Sequence, residues 1–186
     1  MSETSPYASD ALERLASSTG DGLQLFALLD GARDPLIHPE LIASGLSHAC
    51  LFDGTLPPDL AAAAPYLVDL EQGEGSFAEW LLRESWGKSW GVFLLCGKRL
   101  GKLRKHFRTF LMVEHEGKDV YFRYYDPRVL RVFLPTCGPE ELDHVYGPVE
   151  AYFCEAKDPQ TLLRFERSEE GLATDEVALT AAEEVA

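Results

Sequence analysis

The chain has 186 residues, 46% of them hydrophobic, which suits one domain with a core of its own. Its formal net charge of −14 argues against a general affinity of the whole surface for nucleic acid. No apolar run approaches the roughly 20 residues of a membrane span, and the opening MSETSPYASDALERL lacks the basic and apolar regions of a secretory signal, so a cytoplasmic setting is expected.

In chain order, residues 1–22 read as a flexible N-terminal segment, with one helical turn near Ala11–Leu15. Leu23–Leu29 is a continuous apolar run closed by Asp30-Gly31, the mark of a buried strand. Ile37–Ala43 predicts a short helix, Ala49–Phe52 a short strand, Asp59–Ala63 a helical turn and Tyr66–Leu70 a third strand. A turn is expected at Gly73-Glu74-Gly75. Ser76 then stands three residues before Glu79, the spacing of a capping box, and opens a helix carrying Phe77, Trp80 and Leu81. Trp90–Cys96 is the strongest buried strand.

Lys98–Leu111 is amphipathic. Leu100, Leu103, Phe107 and Phe110 form an apolar stripe, and at 100° per residue Lys98, Lys102 and Lys105 fall opposite it. Six of the 17 basic residues lie between positions 98 and 108, with Arg108 on the flank. Such a face is either solvated or a docking surface for an acidic partner.

Met112–His115, a turn at Glu116-Gly117 and Asp119–Tyr125 predict a hairpin. Strand alternation places Tyr121, Arg123 and Tyr125 on one of its faces. The pattern breaks at Asp126-Pro127, where Asp126 reads as the N-cap and Pro127 as the first residue of a helix carrying Val129, Leu130 and Phe133. Arg123, Asp126 and Arg128 therefore form either a structural cap steadied by arginine or an exposed corner for a partner, and the two are compatible. A short helix over Pro139–Val145 and strands over Val149–Glu155 and Leu162–Phe165 follow. Residues 168–186 contain no Lys or Arg and read as an acidic, disordered tail, at most a weak helix over 176–184. The domain proper is expected over 23–167, with sub-lobes near 23–111 and 112–167. Its class is α/β or α+β, with helices packed on a mixed sheet.

Catalytic and metal signals are weak. Gly87-Lys88-Ser89-Trp90-Gly91 fits G-x-S-x-G, but a nucleophile elbow needs a strand before the serine and a helix after it, and here the order is reversed. Serine hydrolysis at Ser89 stays an alternative, as does nucleic-acid binding by the 98–108 run with Tyr121 and Tyr125 as stacking platforms. The cysteines at 50, 96, 137 and 154 are too scattered for a zinc knuckle or CxxC pair, and the histidines show no H-x-x-x-H or H-E-x-x-H spacing, so no metal or cofactor is expected.

Several pieces carry a family resemblance. They are Leu28-Leu29-Asp30 with Ala32, Leu51-Phe52-x-Gly54, Ala64-Pro65-Tyr66-Leu67-Val68-x-Leu70, Trp90-Gly91-x-Phe93-Leu94 and Leu103-x-x-His106-Phe107-Arg108. The most specific piece runs Val120-x-Phe122-Arg123-Tyr124-Tyr125-Asp126-Pro127-Arg128-Val129-Leu130-x-x-Phe133-Leu134-Pro135, and Gly147-Pro148-Val149 closes the pattern. Over roughly residues 23–153 the chain resembles the adaptor chaperones of bacterial type VI secretion, the "domain of unknown function 4123" family. The resemblance implies a non-enzymatic protein that binds an effector toxin and helps load it onto the spike protein VgrG. It transfers no contact residues. Those expected to meet a partner come from the residue pattern: Lys98, Lys102, Lys105, Arg108, Tyr121, Arg123, Tyr125 and Arg128.

Overall fold

The computed structural model describes residues 4–20, 22–70 and 76–182, and the turn expected at 73–75 lies outside them. The elements in order are α1 (Ala8–Ser17), β1 (Gln24–Asp30), α2 (Ile37–Ser44), β2 (His48–Cys50), α3 (Pro58–Ala62), β3 (Pro65–Asp69), α4 (Phe77–Ser85) and β4 (Gly91–Cys96). Then come α5 (Leu100–Phe107), β5 (Met112–His115), β6 (Lys118–Tyr121), α6 (Pro127–Phe133), α7 (Pro139–Tyr146), β7 (Val149–Glu155), β8 (Thr161–Ser168) and β9 (Gly171–Ala178).

Seven strands form one sheet in the order β2-β3-β1-β4-β7-β8-β9, while β5 and β6 pair only with each other. The class is α+β. The sheet, expected to be mixed, has antiparallel pairings throughout. The crossovers from β1 to β2 and from β3 to β4 do return the chain in its original direction. Each linked pair is split by an antiparallel strand: β3 sits between β1 and β2, and β1 between β3 and β4.

Helices cover both faces of the sheet, which is why the central strands read as unbroken apolar runs rather than as alternation. On one face Leu25, Ala27, Leu29, Val68, Phe93, Leu95 and Phe153 pack against Ala11 and Leu15 of α1, Ile37 and Leu41 of α2 and Leu81 and Leu82 of α4. On the other, Phe26, Leu28, Leu67, Val92, Leu94, Tyr152 and Phe165 meet Leu103 and Phe107 of α5, Leu130 of α6 and Leu142 and Tyr146 of α7. β4 pairs with β7, so the sheet crosses the boundary expected between sub-lobes at 111–112 and does not divide there.

Both ends of the chain depart from expectation. The segment read as flexible contains the ten-residue α1, whose Ala8, Ala11 and Leu15 are buried. That stripe is two-thirds alanine and gives a faint apolar signal. The tail read as disordered supplies β9, paired with β8 from Ser168↔Gly171 to Thr161↔Ala178. Backbone ladder bonds need no apolar side chains, so an acidic sequence can be recruited by an open strand edge. Beyond β9, Leu179 is buried, Thr180 N donates to Asp10 Oδ2 at 2.7 Å and Ala182 N to Pro6 O at 2.7 Å, so the tail crosses the start of α1. The weak helix expected over 176–184 is not formed at 176–182, and 183–184 lie outside the described residues.

Candidate functional site

The strand predicted over 119–125 ends at Tyr121. Tyr124 and Tyr125 are both buried in the same core. Adjacent strand residues point to opposite faces, so a strand could deliver only one of them, whereas a turn delivers both. Asp126 N donates to Arg123 O at 3.0 Å and closes that turn. Tyr124 Oη donates to Phe107 O at 2.8 Å, and its ring stacks on Phe107 with centroids 5.6 Å apart. Tyr125, expected on the exposed face with Tyr121 and Arg123, is therefore a core residue. Burial, then the nearby Asp30 charge, push its hydroxyl up to about 12.

Asp126 caps α6 as the sequence predicts. Its backbone is extended, its Oδ1 accepts Arg128 N at 2.9 Å, and Pro127 takes the first helical position. The same carboxylate receives the Arg128 fork, Nε on Oδ1 at 2.9 Å and Nη2 on Oδ2 at 2.6 Å. Arg123 Nη2 lies 3.5 Å from Asp126 Oδ2 and hydrogen-bonds Asp30 Oδ2 at the end of β1. Asp30 Oδ1 also accepts Ala32 N at 3.2 Å. Gly31 beside it has no room for a Cβ, which would run into the carbonyls of Ala62 and Ala64.

The result is a chain of alternating charge, Asp30–Arg123–Asp126–Arg128. Both carboxylate side chains are 3% exposed, and the arginine side chains are 44% and 46% exposed. A buried carboxylate must be paired to stay charged. Burial pushes Asp126 up, but the hydrogen bonds and charge of Arg128, with the charge of Arg123, outweigh it and hold the carboxyl below its ordinary value. The arginines keep outward N–H donors beyond those the aspartates take. Neither guanidinium titrates near neutrality, so the corner can present a fixed pair of donors to an anionic group.

The basic run divides in two. α5 begins at Leu100, so Lys98 precedes the helix; Lys98, Lys102 and Lys105 are exposed. Arg104 turns inward and donates to Cys50 O at 2.8 Å and Phe52 O at 3.3 Å, while Arg108 pairs with Asp53. Arg108 thus clasps the loop after β2, a tether unseen in the helical pattern because its partner lies 55 residues away. Tyr121 is 57% exposed, with its ring 5.2 Å from that of Phe52.

Ser89 is buried and has a positive φ of 56°. Its hydroxyl donates to Glu155 Oε1 at 3.0 Å, its N–H donates to the same oxygen at 3.0 Å, and Gly87 N donates to Oε2 at 2.6 Å. β4 follows it, not a helix. One turn thus delivers three donors to one buried carboxylate, which holds the left-handed Ser89 against the end of β7. Burial raises Glu155 above its ordinary value despite those hydrogen bonds. Among the described residues no group of His, Cys, Asp or Glu is arranged to hold a metal, and no helix is long and apolar enough to cross a membrane.

Asp30 is the site residue that sequence reasoning did not assign. It reads locally as a turn residue after a buried strand. Its partner Arg123 lies 93 positions away, and only the Leu28-Leu29-Asp30 piece hinted at a further role.

The fold and its corner define an α+β domain that presents two arginines fixed from beneath by buried carboxylates. Residues 25–144 match the family described as "Domain of unknown function (DUF4123)", more than half of the chain, and the protein belongs to that family. No curated protein and no solved structure matches it.

Proposed function

We propose that the protein is a non-enzymatic adaptor that binds an effector toxin and helps load it onto the VgrG spike of a type VI secretion system. The observation that carries a binding role is the locked arginine pair. Arg123 and Arg128 are held in place before a partner arrives, so little side-chain freedom remains to be lost on docking, and their free donors suit carboxylates. The exposed Lys98, Lys102 and Lys105 add a second cationic surface for an acidic segment. The effector and VgrG as partners come from the family resemblance in the sequence.

The test is calorimetry with purified VgrG proteins and candidate effectors from the genome that encodes this chain. Lys98→Glu/Lys102→Glu/Lys105→Glu should weaken binding by about tenfold or more, with little change in melting temperature, because exposed pairs contribute about 0–1 kcal/mol to folding while opposed charges act strongly on docking. Wild-type affinity should fall as salt rises. Absence of binding to any of them would overturn the adaptor reading; equal affinity of the variant would remove the lysine face from it.

A further inference from the structure

The β5–β6 hairpin is poorly covered. It shares no ladder with the main sheet, and every residue of β6 is exposed. Met112 is 43% exposed, Val120 40% and Tyr121 57%. A lone two-stranded ribbon is marginal in water, and one with apolar side chains turned outward lacks the covered face that normally sustains it.

The register reveals a second anomaly. Met112 is opposite Tyr121 and Glu114 is opposite Asp119, so strand alternation puts these four side chains on one face. Directly opposed like charges weaken a strand pair. Among the described residues neither acid has an ion-pair partner. Lys118 is the cross-strand partner of position 115, on the other face.

An apolar pair and an acidic pair thus lie side by side, about 7 Å apart along the strands. We propose that this face docks a basic amphipathic segment of a protein partner. One apolar side chain of that segment covers Met112 and Tyr121, and a Lys or Arg about 7 Å further on sits between Glu114 and Asp119. The commitment to a basic occupant rests on charge: a cation converts the Glu114–Asp119 repulsion into two attractions, while an acidic segment would add to it. Tyr121, backed by Phe52, is an ordered aromatic anchor of the type enriched at interface centres. The inference rests on the adaptor reading and refines it: the arginine corner takes an acidic part of the cargo or spike, and the hairpin a basic one.

The test uses the full chain and two synthetic peptides, one alternating Lys and Leu and one alternating Glu and Leu, with NMR of the Met112 methyl and the Tyr121 ring. The Lys–Leu peptide should shift both signals and the Glu–Leu peptide neither. Glu114→Gln/Asp119→Asn should weaken the Lys–Leu peptide by about tenfold, whereas Glu169→Gln/Glu170→Gln, in the β8–β9 turn, should leave it unchanged. Equal weakening by both variants, or unmoved Met112 and Tyr121 signals, would overturn the proposal by reducing it to net charge. The same variants are then titrated with the purified VgrG proteins and candidate effectors of the adaptor test. A wild type that binds them as tightly as the Glu114→Gln/Asp119→Asn variant sinks the hairpin and keeps the adaptor; a wild type that binds none of them sinks the adaptor, while the peptide results still decide the hairpin.

Discussion

The hairpin and the arginine corner are neighbours in the chain, residues 112–121 and 122–133, and are built in opposite ways. In the hairpin the side chains of Met112, Glu114, Asp119 and Tyr121 are exposed and the acids unpaired within the described residues. In the corner two aromatic rings and two carboxylates are buried, and the exposed arginines are fixed from beneath. The difference teaches that charge can be held at a surface in two ways. Arg123 and Arg128 are positioned by the fold before any partner arrives. Glu114 and Asp119 stand opposite each other in the ladder with like charge, and under the docking proposal a basic partner would offset their repulsion.

The contrast breaks most visibly if the buried carboxylates are removed together. Removing one side of a buried ion pair costs about 3–5 kcal/mol. Because the arginines left behind are 44% and 46% exposed, water takes up part of their charge. Asp30→Ala/Asp126→Ala should therefore lose about 3 kcal/mol in urea denaturation. A loss below about 1 kcal/mol, within the reach of an ordinary surface change, would show that the corner is not part of what holds the fold.

A smaller effect is expected for Asp126→Ala alone, about 1–2 kcal/mol from the lost cap, with Asp126→Asn milder because an amide oxygen still accepts Arg128 N. Thermal unfolding of the pair would separate cap from charge; equal losses would assign the effect to charge.

Acid sharpens the same point, since two buried carboxylates respond with opposite sign. Asp126 is held below 3.8, so the unfolded chain binds the proton first. Its contribution is present above the unfolded value and lost as pH falls through the folded one. Glu155 is raised above 4.5, so the folded chain binds the proton first, and its contribution is present below the unfolded value and lost as pH rises through the folded one. Melting curves from acid to neutral pH should show the wild type losing ground to Glu155→Gln as pH rises, and the deficit of Asp126→Asn shrinking as pH falls. Gaps that do not vary with pH would contradict both assignments.

The smallest effect belongs to the hairpin. Tyr121→Ser should change stability by no more than about 0.5 kcal/mol, as for surface positions generally. A loss above about 1 kcal/mol in the same denaturation assay would mean the Phe52 contact ties the hairpin into the core and that the two regions differ less than their exposure suggests.

The sequence by itself determined the elements whose signal is local. The apolar runs of β1 and β4 needed only their own composition to be read as buried. Ser76 accepts Glu79 N at 3.2 Å, and Asp126 accepts Arg128 N at 2.9 Å, because caps act within one helical turn. The stripe of Leu103, Phe107 and Phe110 entered the core as its spacing dictates. Tertiary structure decided the rest. A strand was recruited from an acidic tail because β8 had an open edge. β6 stopped at Tyr121 because two consecutive tyrosines had to enter one core. Asp30 became the partner of Arg123, and Asp53 of Arg108, across 93 and 55 positions. A ladder, a shared core and a buried ion pair each depend on what the fold sets beside a residue, and a residue's own neighbours in the chain carry no trace of it.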